Sequence, residues 1–207
     1  MNTPNSVSKL PEKAENKHKY LTHIKDRIRN DVELYGGEVI DSEEMQKAFD
    51  QTHHFWSTVG EHTIRVTASS MKICYVLKKL HINVNIPAVV VASLCHDLGM
   101  LGRDEKYTSD KECHREHPKD SVAVAREIVS EMPEKTEDII ERHMWPMGPS
   151  EAPNSVEGFV VSIADKYNAV KDLVIGSEVN HTGVRHYMSG KLRRIRKTIR
   201  KALPRDF

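Results

Sequence analysis

The position of charged side chains inside the most apolar segments is the feature that most constrains the fold of this chain. His96 and Asp97 directly follow residues 87–95, a run in which Ser93 is the one polar side chain. Asp165 interrupts a second apolar run, residues 158–170. A buried carboxylate is costly unless it is paired with a cation or bound to a metal. The fold must therefore bring a compensating group to each of these aspartates.

Apolar residues elsewhere recur at the 3.6-residue period of an amphipathic helix, and no segment alternates convincingly with the period of a strand. The sequence therefore predicts an all-α, compact multi-helix fold, and its 207 residues suit one domain. A polar loop is expected from Gly99 to Glu116 and another from Met144 to Asn154. The predicted helices run from Tyr20 to Gly36, from Ser42, from Gly60, from Pro87 to Gly99, from Pro118 to Met132, from Glu137 to His143 and from Ser155.

Composition divides the chain into four segments. Residues 1–15 are polar and are expected to form a flexible N-terminus. Residues 16–54 predict an N-terminal helical extension, and residues 55–175 predict the main helical domain. Residues 176–207 predict a basic C-terminal helix that packs on or beside this domain.

The formal net charge of +1 hides an uneven distribution of charge. Residues 191–207 contain eight basic side chains and one acidic side chain, a charge of +7, which leaves −6 on residues 1–190. The simplest interpretation of this segment is a docked helix with a solvated basic face. The alternatives are a rim that attracts anions, a nucleic-acid contact and a helix on a membrane surface. Nucleic acid is not the favoured partner. Its apolar residues fall on one helical stripe: Leu192, Ile195, Ile199 and Leu203.

The cysteine count and the N-terminal sequence bear on the compartment. With 10 Gly, 9 Pro and 3 Cys, the chain is neither collagen-like nor a disulfide scaffold. The cysteines form no CxxC pair, and those in apolar runs are expected to be buried thiols. The first residues lack the apolar core of a signal peptide, and no apolar stretch reaches about 18 residues. We therefore expect a cytoplasmic protein with no membrane span.

Histidines at helix ends accompany the two aspartates. His62 lies early in one predicted helix, His117 immediately precedes Pro118, and His143 ends a short helix. Histidine is the commonest metal ligand in proteins. A divalent cation would offset the desolvation of both aspartates at once.

Two simpler interpretations of the aspartates remain open at this point. Asp97 could cap a helix end, and Asp165 could form a salt bridge with Lys166 or Arg65. Each of these residues taken alone favours the simpler interpretation. Their combination, in this order and spacing, favours a metal site.

The order His62, then His96-Asp97, then Asp165 occurs in the contexts EHTIRV, LCHDLG and IADKYNA. It resembles the HD-domain superfamily of metal-dependent phosphohydrolases over residues 55–175. The resemblance implies that these four residues ligate one metal ion and that His96 and Asp97 are catalytic.

His117 and His143 resemble the added histidines of the two-metal, phosphodiesterase-like branch, in which the aspartate of the His-Asp pair bridges both ions. The resemblance then implies that Asp97 is the bridge. Four histidines and two aspartates suit Mn, Fe, Co or Zn better than Mg. The alternatives are that His117 merely begins a helix, or that His114 is the ligand in its place.

The residue three positions after Asp97 departs from the named activities of the superfamily. Met100 stands where the cyclic-dinucleotide branch often has a lysine and where the one-metal nucleotidase branch has an acidic residue. The resemblance therefore identifies the superfamily and leaves the activity within it open.

The resemblance implies hydrolysis of a phosphoester bond, by a metal-bridging hydroxide, in a nucleotide or related small phosphorylated metabolite. A phosphodiester is slightly preferred over a phosphomonoester. The alternatives are a one-metal phosphomonoesterase or 5′-nucleotidase and a non-catalytic nucleotide-sensing module. The sequence leaves the oligomeric state open. Four cations are candidate contacts for the anionic substrate: Arg103, Lys106, Lys119 and Lys166.

Overall fold

The computed structural model describes Leu21 and residues 24–53, 57–147 and 149–179, with side chains as far as Asp172. The predicted N-terminal tail and the basic segment 191–207 lie outside these residues. The described part of the chain is built from helices and carries a single two-residue β ladder, which confirms the all-α prediction. It contains no helix with the length and hydrophobicity that crossing a bilayer requires.

Eight α-helices, one 3₁₀ turn and two short strands make up the described residues. The strands pair antiparallel, with Thr52 opposite Thr58 and His53 opposite Ser57, and the sequence did not predict them. In chain order the elements are α1 (Asp26–Asp41), α2 (Glu43–Asp50), β1 (Thr52–His53), β2 (Ser57–Thr58), α3 (Val59–Lys79), α4 (Ile86–Cys95), a 3₁₀ turn (Leu98–Met100), α5 (Arg103–Lys106), α6 (Asp110–Ile128), α7 (Glu134–Glu141) and α8 (Val156–Val179).

Helix α4 is the central helix of the bundle. It packs against α1, α3, α7 and α8, and Val89, Val90 and Leu94 are completely buried. A helix that is hydrophobic on all sides must be covered on all sides. His96 and Asp97 directly follow its C-terminal end and therefore lie in the middle of the protein.

Side-chain caps fix where several helices begin. The Ser42 hydroxyl accepts a hydrogen bond from the Met45 N–H, which confirms the predicted start of α2. Thr58 and Glu61 form a reciprocal capping box at the start of α3. Helix α3 therefore begins at Val59, one residue earlier than the sequence suggested, and His62 lies at the end of its first turn.

The region between Gly99 and Glu116 is not the polar loop that the sequence predicted. Helix α6 begins at Asp110, where the Ser109 hydroxyl accepts a hydrogen bond from the Glu112 N–H. Pro118 therefore lies inside α6 and does not open it. His117 is consequently in the middle of a helix, which excludes the interpretation that it merely begins one.

Other predicted helix boundaries also differ from the structure. Helix α1 continues through Gly36 to Asp41, so Gly36 does not end it. A Cβ on Gly36 would overlap the Leu94 side chain, so this glycine allows close packing against α4. Helix α7 ends at Glu141, two residues before His143. Helix α4 ends at Cys95, well before Gly99.

Gly99 allows the turn after α4 to lie directly against α6. Its N–H donates a hydrogen bond to the Ser121 hydroxyl at 2.9 Å. A Cβ at this position would lie 2.5 Å from the His117 carbonyl oxygen, well inside van der Waals contact with backbone. Backbone cannot rotate away as a side chain can, so Gly99 is required for the approach of these two elements.

We expect Gly99→Ala to destabilise the protein by about 1–3 kcal/mol, since the turn and α6 must separate to admit the methyl group. Gly37→Ala is the matched control, because a Cβ on Gly37 meets nothing within 4 Å. Alanine is the better helix former, so this control should be neutral or stabilising by up to about 1 kcal/mol. Chemical denaturation followed by circular dichroism measures both, and equal effects would contradict the role of Gly99.

Candidate metal centre

The six predicted ligands are brought together in the centre of the bundle. All six are buried, and none of their side chains is more than 9 % exposed. Five different helices position them: the first turn of α3 carries His62, the end of α4 leads to His96 and Asp97, α6 carries His117, the end of α7 leads to His143, and α8 carries Asp165.

Three of these residues form a first group of ligand atoms. The atoms of His62, His96 and Asp165 all lie within 4.8 Å of one another. The Asp165 Oδ1 atom is 3.0 Å from His62 Nε2 and 3.9 Å from His96 Nε2. These two nitrogens and one oxygen could hold one metal ion.

The other three residues form a second group, and Asp97 connects it to the first. Asp97 Oδ1 lies 3.4 Å from His117 Nε2 and 3.5 Å from His143 Nε2. Asp97 Oδ2 faces the first group, 3.3 Å from His96 Nε2 and 3.8 Å from His62 Nε2. One carboxylate oxygen is therefore directed toward each group, which is the arrangement that a bridging ligand needs.

Hydrogen bonds to backbone orient three of the imidazole rings. A carbonyl oxygen can only accept, so each Nδ1 atom that contacts one carries the proton, and the ring can present an Nε2 lone pair to the centre. A ring held in this way is suited to ligate a metal. The pairs are His96 with Ser93 at 2.8 Å, His117 with Cys113 at 2.7 Å and His143 with Ile140 at 2.7 Å.

The contact between His117 and His143 shows what the second group lacks. Their Nε2 atoms are 3.1 Å apart, although both Nδ1 atoms already donate to carbonyls. Burial lowers the pKa of His143 to about 4. Burial would also lower the pKa of His117, but its hydrogen bond to Asp97 raises it to about 9. A cation between these two nitrogens and the Asp97 carboxylate would satisfy this buried cluster.

His96 provides the clearest fit to a metal ion. Its Nε2 atom is buried and has no hydrogen-bond partner among the described residues. A buried polar atom without a partner is costly. The nearest carboxylate oxygens, on Asp97 and Asp165, also carry lone pairs, so a cation between these atoms would satisfy all three.

Asp165 has a second partner outside the first group. The Lys166 ammonium lies 2.6 Å from Asp165 Oδ2, so the predicted salt bridge forms beside the metal-facing oxygen and does not replace it. Burial alone would raise the pKa of Asp165, but the His62 hydrogen bond and the Lys166 charge hold it well below its usual range. The carboxylate is therefore ionised and available as a ligand.

Sequence reasoning missed Asp172, which orients His62. Asp172 is buried on α8, and its Oδ2 atom is 3.4 Å from His62 Nδ1. The Arg65 guanidinium holds the same oxygen at 2.6 Å, so Arg65 pairs with this carboxylate and not with Asp165. Asp172 lies seven residues after Asp165, on the same face of a helix, and that spacing was the available signal.

Of the four candidate substrate contacts, Lys166 lies at the metal centre. Besides Asp165 it contacts the His143 carbonyl oxygen at 3.0 Å. Arg103 pairs with Asp110 at the start of α6. Lys166 and Arg103 are thus each engaged in an ion pair within the described residues.

The remaining two candidate cations are Lys106 and Lys119. Lys106 pairs with Asp120 at 3.2 Å. Lys119 is exposed and lines a cavity of about 540 Å³ that it shares with Arg142. Lys119 follows His117 by two residues, which places it about 200° around α6 from that ligand. His114, the rival ligand, is exposed and joins neither group.

The three cysteines are free and buried, which confirms that prediction for Cys74 and Cys95. Burial raises the pKa of both thiols to about 12. Neither forms a thiolate near neutral pH, and therefore neither can act as a nucleophile.

We expect Asp172→Asn to weaken metal binding about 10–100-fold, because the neutral amide no longer holds the His62 ring with a charged hydrogen bond. Asp31→Asn is the control, since Asp31 accepts a hydrogen bond from the Tyr75 hydroxyl, remote from the two groups. Titration calorimetry with Mn²⁺ measures both dissociation constants. An unchanged metal affinity in Asp172→Asn would contradict the role of Asp172 in orienting His62.

Comparison with known proteins bears on the same residues. A family model described as HD domain matches residues 59–170, more than half of the chain. The matched span includes all six predicted ligands. No match was found among curated proteins or among solved structures. The match confirms the resemblance inferred from the His and Asp motifs: the chain belongs to the HD-domain family.

Proposed function

We propose that this protein is a metal-dependent phosphohydrolase that cleaves a phosphoester bond in a nucleotide or related small phosphorylated metabolite. The observation that carries the proposal is the Asp97 carboxylate, which directs one oxygen toward each of two groups of buried ligands. The family supports a hydrolase of this class. Two neighbouring cation sites favour a phosphodiester slightly over a phosphomonoester.

The donor atoms define how two ions would be held. His62, His96 and Asp165 would bind one ion, His117 and His143 the other, and Asp97 would be shared between them. Imidazole nitrogens favour Mn, Fe, Co or Zn over Mg. When bound, such ions polarise phosphoryl oxygens and lower the pKa of a coordinated water molecule.

The protein's own contribution to this chemistry is to hold the ligands in place in advance. Four imidazoles have Nδ1 committed to an acceptor: three to backbone carbonyl oxygens and His62 to Asp172. Their rings therefore need little reorganisation when a substrate arrives. Burial of all six ligands also keeps bulk water from screening the charges around a phosphoryl group.

Lys166 is the cation best placed to act on the substrate. Its ammonium contacts Asp165, and its side chain is 23 % exposed, so it lies between the buried ligands and the surface. We assign it two tasks, to hold the Asp165 carboxylate and to attract a phosphoryl oxygen. Arg103, Lys106 and Lys119 remain predicted contacts of the more distant parts of the substrate.

Hydrolysis should be tested in Mn²⁺ against mononucleotides, cyclic nucleotides, dinucleotides and an aryl phosphodiester. We expect turnover of at least one of these, with a diester preferred, and none by Asp97→Asn, which loses the charge shared by the two groups. Asp31→Asn is the control and should retain full turnover. Absence of turnover throughout, in a protein that holds its ions, would favour the nucleotide-sensing module.

The number of ions is tested separately, by elemental analysis and native mass spectrometry. We expect two ions per chain, and one in His143→Ala, because this substitution removes a ligand of the second group only. His62→Ala should likewise lose the ion of the first group. A wild-type protein with one ion, retained in His143→Ala, would point to the one-metal phosphomonoesterase or 5′-nucleotidase.

A further inference from the structure

Helix α8 presents an apolar face to solvent. Every strongly exposed side chain from Val156 to Val170 is hydrophobic, and Ile163 is 55 % exposed. We call this set the α8 apolar face, and its members are Val156, Phe159, Ile163, Tyr167 and Val170.

The opposite side of α8 already forms the core. Val160, Val161 and Ala164 are buried there, beside Asp165. A helix with apolar residues on both sides is typical of a helix covered on both sides. On the outer side, the described residue Trp145 packs its ring edge-to-face against Phe159, with ring centroids 5.4 Å apart.

We propose that residues 191–203 cover the α8 apolar face as an amphipathic helix that runs back antiparallel to α8. The apolar positions of this segment, from Leu192 to Leu203, are spaced by 3, 4 and 4 residues. The five members of the α8 apolar face are spaced by 3, 4, 4 and 3 residues. The two stripes share this spacing, and at 1.5 Å per residue the stripe from Leu192 to Leu203 spans about 17 Å, enough to cover most of the α8 apolar face of about 21 Å.

The connecting segment is long enough for this arrangement. Residues 180–190 separate the last described residue of α8 from the basic segment and include Gly183 and Gly190. Eleven residues span up to roughly 35 Å when extended. The return from Val179 to Val170 along α8 requires about 14 Å, so the chain can reverse without strain.

Charge favours this occupant over a second copy of the chain. Residues 191–207 carry +7 and residues 1–190 carry −6, so the segment is attracted to the body of its own protein. Docking in this way also buries the stripe from Leu192 to Leu203. Pairing of two α8 apolar faces across a dimer would leave that stripe uncovered.

Limited trypsin digestion of the full chain tests the proposal, because residues 191–201 contain seven Lys and Arg sites. We expect cleavage between 191 and 201 at least tenfold faster in Ile163→Glu than in the wild type, while the rest of the chain stays intact. Val76→Glu is the matched control, since Val76 is 54 % exposed on α3, and it should be cut at the wild-type rate. Mass spectrometry identifies the sites, and circular dichroism confirms that the variants fold.

A reciprocal variant completes the test. Ile195→Glu with Ile199→Glu should expose the same sites, and combining them with Ile163→Glu should add no further acceleration. Equal cleavage rates in the wild type and Ile163→Glu would overturn the proposal. A wild-type dimer that Ile163→Glu converts to a monomer in sedimentation, with no change in cleavage, would assign the α8 apolar face to a second copy. No readout depends on hydrolysis, so the result is independent of the proposed function.

Discussion

A carboxylate in the centre of a helical bundle is the constraint on which the rest of this structure depends. Asp97 lies at the end of α4, which is apolar on every side and is therefore enclosed by other helices. Burial alone would raise the pKa of Asp97, but the neighbouring imidazoles of His96 and His117 hold it well below its usual range. The surrounding helices thus supply both the apolar cover and the polar partners, and the core cannot be separated from the site.

The ends of helices explain how imidazoles are oriented inside such a core. The last turn of a helix leaves carbonyl oxygens without partners in the helix itself. His96 and His143 each follow the end of a helix and donate Nδ1–H to a carbonyl three residues earlier. The same hydrogen bond therefore fixes the imidazole ring and satisfies a carbonyl oxygen that would otherwise lack a partner. His117 obtains the same orientation inside α6 from the Cys113 carbonyl.

The sequence predicted the parts of this structure that local pattern determines. His96 and Asp97 could be identified because charge inside an apolar run has few explanations. The start of α6 was missed because Pro118 is a strong helix-start signal and obscured the weaker cap at Ser109. Asp172 was missed because its partners lie more than 100 residues away in the chain. Periodicity predicted α8 from the stripe that includes Phe159, Ile163 and Tyr167, and the structure places this stripe on the exposed side of the helix.

The distribution of the ligands along the chain makes the site a property of the completed fold. His62 and Asp165 are separated by 103 residues, so their meeting closes most of the domain into one loop. The entropy of closing such a loop must be overcome before the first ligand group exists. The first group therefore forms only when α8 has docked against α3, and a metal ion bound there would cross-link the two ends of the domain. Removal of such an ion would then loosen the fold itself.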